Sequence, residues 1–184
     1  MTQGPHDDMP RFPTTERLTF RLISAADENL YFSLYTDDRV MRFITLPATP
    51  AEIDARFKRA LEGSHCSTFK QKVLVAIERA TNEPIGLIGL RPVDDKEGAA
   101  EGGVMLATTA QARGFAPECL HVLITYAFDT WPLTSIIART ENGNTSVERL
   151  LLKLGFLQDK EPQTLNGVRL NVWSLHREMW PHGT

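Results

Sequence analysis

The chain has 184 residues and a net charge of −3, with 42% hydrophobic and 23% charged residues. This length fits one domain, and the composition is typical of a soluble globular protein. The slightly acidic balance argues against non-specific nucleic-acid binding, which needs a basic face. Every apolar run is shorter than the roughly 18 residues of a membrane span.

Two cysteines, Cys66 and Cys119, are too few for a disulfide scaffold, so we expect a reducing, cytoplasmic location. The N-terminal residues are polar and proline-rich and lack the apolar core of a signal peptide. We expect residues 1–13 to be a flexible arm and residues 14–184 to form a single domain.

A strand and two helices are predicted first. The strand is indicated by apolar residues that alternate with polar ones, namely Leu18, Phe20 and Leu22. Ser24 and Asp27 have the spacing of a helix cap. The stretch Thr49-Pro50-Ala51-Glu52 is a capping box with proline at the first helical position, and Gly63 is expected to end that helix.

Two apolar runs, residues 72–78 and 85–91, are separated by a turn and predict a hairpin. A polar loop over residues 94–100 leads into a strand near Val104. Residues 135–139 predict another short strand.

In the last part of the chain, Asn144 is expected to cap a helix that Gly155 ends. Strands are predicted near Phe156 and over residues 168–175, with a turn at Asn166-Gly167. The elements together predict an α+β domain with a mostly antiparallel sheet.

The stretch Gln111-Ala112-Arg113-Gly114-Phe115-Ala116 lies between a predicted strand and an amphipathic helix. The first turn of a helix has free N–H groups and a partly positive end, which suits a diphosphate. Gly114 permits positive φ or a close backbone approach, and Arg113 adds a fixed charge. The loop lacks the ending of a P-loop and the three glycines of a dinucleotide fingerprint. It is either a diphosphate-binding loop or an ordinary loop before a helix.

Five segments occur in one order along nearly the whole chain. They are Thr15-Glu16-Arg17-Leu18-Thr19-Phe20-Arg21, Pro84-Ile85-Gly86-Leu87-Ile88-Gly89-Leu90, Glu101-Gly102-Gly103-Val104-Met105-Leu106, the Q-x-x-G-x-A loop with Glu118, and the stretch from Asn144 to Leu154-Gly155-Phe156. In this order they resemble the motifs of the GNAT acetyltransferases, in particular the Rim-type branch that includes ribosomal-protein N-terminal acetyltransferases.

The resemblance implies a GNAT-like, mixed but mostly antiparallel sheet of about six to seven strands, flanked by about four helices, in one acyltransferase domain. It implies acetyl-coenzyme A as the donor. The implied acceptor is a primary amine, on a small molecule or at a protein N-terminus. The residues that it places at the cofactor are Val104, Leu106, Gln111, Arg113, Gly114, Phe115, Ala116 and Asn144.

The chain departs from the family pattern at several positions. Val104-Met105 replaces an aromatic pair, and Ala112 replaces a common glycine. Leu151 stands where many relatives have a tyrosine that is proposed to protonate the leaving thiolate. The sequence therefore identifies no acid for the leaving group, and the thiolate leaves either unprotonated or through water.

Amine acetylation needs a neutral nitrogen, so a base must accept a proton, directly or through water. Glu101 is the first candidate, because it lies on the strand that leads to the thioester, but it is equally well an exposed strand-end carboxylate. Glu118 either matches a family position or complements the helix dipole. The histidines and cysteines lack metal-ligand spacing, so no metal site is expected.

Two functions stay open from the sequence. The first is an acetyl-coenzyme A-dependent N-acetyltransferase. The second is a non-catalytic acyl-coenzyme A-binding module, which the missing tyrosine and the altered Val104-Met105 wall favour. Neither nucleic acid nor a membrane is expected as a partner, and the sequence leaves monomer and homodimer open.

Overall fold

The computed structural model describes residues 12–43, 48–165 and 167–181, which form one eight-stranded sheet with helices on both faces. The strands are β1 (Leu18–Leu22), β2 (Lys72–Glu78), β3 (Glu83–Pro92), β4 (Ala99–Leu106), β5 (Ser135–Glu141), β6 (Leu157–Gln158), β7 (Gln163–Leu165) and β8 (Val168–His176). The helices are α1 (Glu28–Thr36), α2 (Asp38–Met41), α3 (Pro50–His65), α4 (Phe115–Thr130) and α5 (Thr145–Lys153).

The sheet follows the order β1-β2-β3-β4-β5-β8-β6, and β7 pairs with β8 beside this path. Among the described strands, β4 and β5 form the parallel pair, and every other pairing is antiparallel. The mixed, mostly antiparallel α+β sheet is therefore confirmed. This parallel pair matters for function, because ligands in such sheets bind beyond the carboxyl ends of parallel strands.

Alternation along the strands divides the apolar core into two layers. One layer packs α4 and α5 against even-numbered positions of the central strands, such as Ile88 and Ala100. The other packs α1 and α3 against odd-numbered positions, such as Leu87 and Met105. Because successive side chains of a strand point to opposite faces, the odd-numbered Glu101 lies on the face of α1 and α3.

The structure has more elements than the sequence predicted. The sheet has eight strands instead of six or seven: the strand predicted near Phe156 is β6, and the three-residue strand β7 was not predicted. The fifth helix is the single turn α2, for which Asp37 is the N-cap and accepts a hydrogen bond from the backbone N–H of Arg39. Such short elements carry too few residues for a recognisable hydrophobic period.

Several predicted boundaries shift. The helix α3 continues past Gly63 to His65, so the prediction that this glycine ends it is wrong. A Cβ atom at Gly63 would lie 2.6 Å from the carbonyl oxygen of Gln71, so glycine there permits close packing instead. The strand β4 begins already at Ala99, inside the predicted polar loop.

Two predictions fall partly outside the described residues. Of the predicted arm, residues 1–11 lie outside them, and Phe12 packs edge-on against Tyr126 with ring centroids 5.1 Å apart. Asn166 of the predicted turn also lies outside, whereas Gly167 has the positive φ of 80° that such a turn requires. None of the described helices is long and apolar enough to cross a membrane.

A buried ion pair holds the end of β1 against the start of α1. Both carboxylate oxygens of Asp27 accept hydrogen bonds from Arg21, each at 2.7 Å, and the Ser24 N–H and hydroxyl also donate to Oδ2. Asp27 is only 3% exposed. Burial by itself raises the pKa of this carboxyl, but the hydrogen bonds from Arg21 and Ser24 outweigh it and lower the pKa.

We predict that Asp27→Asn lowers the free energy of unfolding by about 2 kcal/mol at neutral pH, because the donors of Arg21 and Ser24 lose a charged acceptor, while the half-exposed Arg21 guanidinium stays in contact with water. Urea unfolding measures this change. Asp54→Asn is the control, since Asp54 forms an exposed pair with Lys58 and should cost less than about 0.5 kcal/mol.

The same ion pair gives a pH dependence with a defined sign. Because the folded-state pKa of Asp27 is lowered, its stabilisation is fully present above the unfolded value of about 3.9 and is lost as the pH falls through the folded value. The difference between wild type and Asp27→Asn should therefore stay constant near neutrality and shrink in acid. A difference that persists unchanged below that range would contradict the role of the charge.

Candidate active site

The strands β4 and β5 separate after three paired positions, and the gap exposes one edge of β4. The parallel pairing joins Ala99–Glu101 to Ser135–Ile137 and extends no further among the described residues. On its other edge, β4 stays paired with β3 as far as Leu106. The end of β4 is therefore a strand edge inside the sheet.

The hydrogen bonds to β3 show which backbone groups point into this gap. The Ala107 N–H donates to Ile85 O at 2.9 Å, and the Val93 N–H donates to Ala99 O at 3.2 Å. In an antiparallel pair such residues alternate, so the odd-numbered residues of β4 bond to β3. The N–H and C=O groups of Val104 and Leu106, two of the residues expected at the cofactor, consequently face the gap.

Two helices begin beside this gap. Because β4 and β5 run parallel, their carboxyl ends lie at the same edge of the sheet, and each strand is followed by a helix, α4 and α5. The N-termini of both helices therefore lie at this edge, where free N–H groups and helix dipoles favour an anion.

The loop before α4, residues 111–116 (the donor loop), has two residues in the left-handed region. Ala112 has φ 58° and Gly114, at the N-cap of α4, has φ 77°. Alternation of this kind points successive N–H groups into one concave site that suits an anion. The Gln111 side chain instead donates from Nε2 to Leu106 O at 3.0 Å and so links the loop to the end of β4.

The Arg113 side chain is engaged in an ion pair at the side of the loop. Its guanidinium donates to both carboxylate oxygens of Glu78, at 3.0 and 2.5 Å, and lies over the Phe115 ring at 4.7 Å. The Phe115 ring is buried, and Ala116 packs against the same core. Because the charge of Arg113 is compensated, the anion-binding capacity of the loop comes mainly from backbone N–H groups.

Asn144 occupies the N-cap position of α5, at the carboxyl end of β5. Its carbonyl accepts hydrogen bonds from the N–H groups of Val147 and Glu148, both at 3.1 Å. Its side chain, however, caps none of the described N–H groups of α5, contrary to the sequence prediction.

Glu101 lies on the α1 and α3 face, between two arginines. Its Oε2 accepts a hydrogen bond from Arg91 at 2.6 Å and a shorter one from Arg139. Next to this cluster, the paired glycines Gly89 and Gly103 leave open space above the sheet, since a Cβ at either would contact nothing within 4 Å. The structure thus places Glu101 beside an open surface but with its charge already paired.

A second carboxylate, which the sequence analysis missed, lies beside the residues that follow β4. Asp37 Oδ2 accepts a hydrogen bond from the Thr108 hydroxyl at 3.4 Å. The backbone N–H of Arg39 holds the pKa of Asp37 below its usual value, so Asp37 is ionised at neutral pH. An Asp-Asp pair before a short helix was the available signal, but it carries no information on the distant Thr108.

Other candidate groups have structural surroundings. Leu151 is buried in the core at the position of the family tyrosine. Cys119 is also buried, and burial raises the pKa of its thiol to about 12. Within the described ranges, groups of three or more histidine, cysteine, aspartate or glutamate side chains that could hold a metal ion are absent.

We predict that Ala112→Gly raises the free energy of unfolding by roughly 0.5 to 1 kcal/mol. Alanine at φ 58° costs about 1 to 2 kcal/mol, whereas glycine adopts this conformation freely and loses part of the gain through a more flexible unfolded state. Urea unfolding measures the change. Ala55→Gly, in the middle of α3, should instead cost about 1 kcal/mol. Destabilisation by both substitutions would contradict strain at Ala112.

Comparisons with known proteins agree with this geometry. The family model for the acetyltransferase (GNAT) domain matches residues 17–157 of this chain. Two curated relatives are described as uncharacterized N-acetyltransferases: p20 of Bacillus licheniformis, 28% identical over 145 residues, and YoaA of Bacillus subtilis strain 168, 30% identical over 146 residues. Each match covers 79% of this chain and 82% of the relative.

Solved structures show the same fold. A spermidine N-acetyltransferase from Vibrio cholerae, in complex with CoA and spermine, has a TM-score of 0.75 at 19% identity and covers 90% of this chain and 98% of its own. The ribosomal L7/L12 α-N-protein acetyltransferase RimL, in complex with coenzyme A, has a TM-score of 0.75 at 14% identity, over 91% and 98% of the two chains. At these identities the likeness concerns the fold alone.

The family match spans most of the chain, and each curated relative aligns with this chain over 82% of its own length. The chain therefore belongs to the GNAT acetyltransferase family and is an acetyl-coenzyme A-dependent acyltransferase.

Proposed function

We propose that the chain transfers the acetyl group of acetyl-coenzyme A to a primary amine, on a small molecule or at a protein N-terminus. One observation carries the proposal. The free edge of β4, with the backbone groups of Val104 and Leu106, meets the N-terminus of α4 at the parting of β4 and β5. An extended amide chain that ends in a diphosphate is complementary to this combination.

On the donor side, the residues divide by the chemistry they offer. The N–H groups of Gly114, Phe115 and Ala116 bind the diphosphate at the helix N-terminus. The N–H and C=O of Val104 pair with the amides of the pantetheine arm, as a neighbouring strand would, and the Asn144 amide adds a further hydrogen bond. Acetyl-coenzyme A supplies the acetyl group as a thioester, and the Leu106 N–H is directed at its carbonyl oxygen.

The acceptor amine approaches from the face of α1 and α3. Gly89 and Gly103 leave room there. Asp37, beside Thr108 at the end of β4, is a second carboxylate, and its charge is already paired with Arg39. The amine must lose a proton before its lone pair attacks the thioester carbon, after which the C–S bond breaks. We keep Glu101 as the candidate base, acting directly or through a water molecule, and its two arginine partners make this assignment the first to test.

The leaving thiolate has no protein acid in this proposal. Leu151 at the family tyrosine position is apolar and buried. The thiolate therefore leaves without a proton or takes one from water. Family membership favours catalysis over the non-catalytic alternative, for which this missing acid was the main argument.

For the acceptor, the two solved structures suggest different classes. One is a spermidine acetyltransferase, and the other acts on a ribosomal protein. The Thr15-Glu16-Arg17 opening resembles the Rim-type branch, so we propose a protein N-terminus as the first class to test and a polyamine as the second. The oligomeric state, monomer or homodimer, is a separate question for solution measurement.

Acetyl-coenzyme A binding and an amine panel test the function. Calorimetry should show micromolar binding to the wild type, and release of the free thiol should reveal turnover with peptides, polyamines or amino acids. Gly114→Trp should abolish binding, because a side chain is strained at this positive φ and its Cβ would lie 3.4 Å from Arg17 Nη2, so the donor loop must shift. Gly155→Trp is the matched control, since Gly155 also has a positive φ but lies at the far end of α5.

The possible outcomes separate the functions. Binding with turnover supports the proposal, and binding without turnover on a broad panel favours the non-catalytic module. Unchanged affinity in Gly114→Trp would remove the diphosphate site from the donor loop.

We predict that Glu101→Gln lowers kcat for the accepted amine by about 10² to 10⁴ and leaves acetyl-coenzyme A affinity unchanged, as expected for loss of a general base. Steady-state kinetics and calorimetry measure the two quantities. Arg91→Gln is the companion variant, because it removes one partner and keeps the carboxylate. If Arg91→Gln loses as much activity as Glu101→Gln, the carboxylate serves the arginine cluster and is not the base.

A further inference from the structure

Arg17, just before β1, binds the outer side of the donor loop. Its Nη1 donates to Arg113 O and its Nη2 to Gly114 O, both at 3.0 Å. The same guanidinium lies over the Phe115 ring at 4.6 Å, opposite Arg113 at 4.7 Å. One planar side chain thus contacts three successive residues of the loop.

Glu118, in the first turn of α4, fixes the position of this guanidinium. Its Oε1 accepts a hydrogen bond from Arg17 Nε at 2.7 Å and a second, shorter one from Nη2. Its Oε2 accepts from the Thr15 hydroxyl at 2.5 Å. Two of the five motifs of the family comparison, around Arg17 and around the glycine loop with Glu118, are therefore one hydrogen-bonded unit.

This unit determines where the loop directs its N–H groups. In a trans peptide the C=O and the following N–H point in opposite directions. Because Arg17 binds Arg113 O, the N–H of Gly114 points away from Arg17. Because Arg17 also binds Gly114 O, the N–H of Phe115 points away from it as well. Arg17 thereby directs towards the ligand side two of the N–H groups to which we assign the diphosphate.

The charges around the loop are also balanced by this arrangement. A carboxylate in the first turn of α4 repels a diphosphate at the same helix end. Arg17 neutralises Glu118, and Arg113 neutralises Glu78. Both acidic groups are thus paired before an anion arrives.

We propose that Arg17 is a positioning residue of the donor site, which orients the Gly114 and Phe115 N–H groups for the diphosphate without contacting it. The inference rests on the proposed location of the diphosphate. It assigns a function in acetyl-coenzyme A binding to the Thr15-Glu16-Arg17 segment, which lies about a hundred residues before the loop.

The test compares acetyl-coenzyme A dissociation constants of four proteins by calorimetry. Arg17→Gln should bind at least about tenfold more weakly than the wild type, because the loop loses two hydrogen bonds and Glu118 its counter-charge. Arg17→Lys restores the charge but not the planar fork, so its affinity should lie between the two. Arg21→Gln is the matched control. Arg21 lies four residues after Arg17, and this variant loses the ion pair with Asp27 but should keep wild-type affinity.

The melting temperature of each variant is measured as well, to establish that it is folded at the temperature of the calorimetry. Wild-type affinity in Arg17→Gln would overturn the inference, as would an equal loss of affinity in Arg21→Gln, which would indicate a general effect of stability. If the wild type itself fails to bind acetyl-coenzyme A, the proposed function fails instead, so the two failures are distinguishable.

Discussion

The structure depends on the point where β4 and β5 stop pairing. A strand edge within a sheet leaves N–H and C=O groups that water or a partner must satisfy. Here β3 stays paired with the other edge of β4 as far as Leu106, so β4 remains in the sheet after its pairing with β5 has ended. The gap between β4 and β5 is therefore formed by the backbone, and the side chains around it position the donor loop and the helix ends.

Paired charges form the second layer of this design. Arg17 with Glu118 and Arg113 with Glu78 lie beside the donor loop, and Glu101 with Arg91 and Arg139 lies where β4 stops pairing with β5. Exposed ion pairs contribute little to stability, but a bidentate guanidinium fixes direction as well as charge. At this site the direction matters more, because a backbone N–H binds an anion only when it points at it.

Local features of the sequence predicted much of this fold. The capping box at Thr49 and Glu52 begins α3 as expected. Alternation identified β1, and two apolar runs around a turn identified the hairpin of β2 and β3. Gly114 has the positive φ that its place before α4 suggested. Each of these features is determined by residues within a few positions of one another, so the local sequence is sufficient to predict it.

Side-chain partners were beyond the same reasoning. Arg113, which the resemblance places at the cofactor, pairs with Glu78, and Glu101 lies between two arginines from neighbouring strands. Asp37 reaches Thr108 across the sheet end. Each partner is determined by strand register and helix packing. Neither can be predicted from the hydrophobic periodicity of a single segment.

The bond between Arg17 and Glu118 also has a consequence for folding. The two residues are 101 positions apart, so closing this contact costs loop entropy that local structure cannot offset. The donor loop reaches its final conformation only when β1 has joined the sheet, and contacts of such long sequence separation slow folding. If Arg17 orients this loop as proposed, competence to bind acetyl-coenzyme A arrives only with the completed domain, and a chain that has folded only from β2 onwards lacks it.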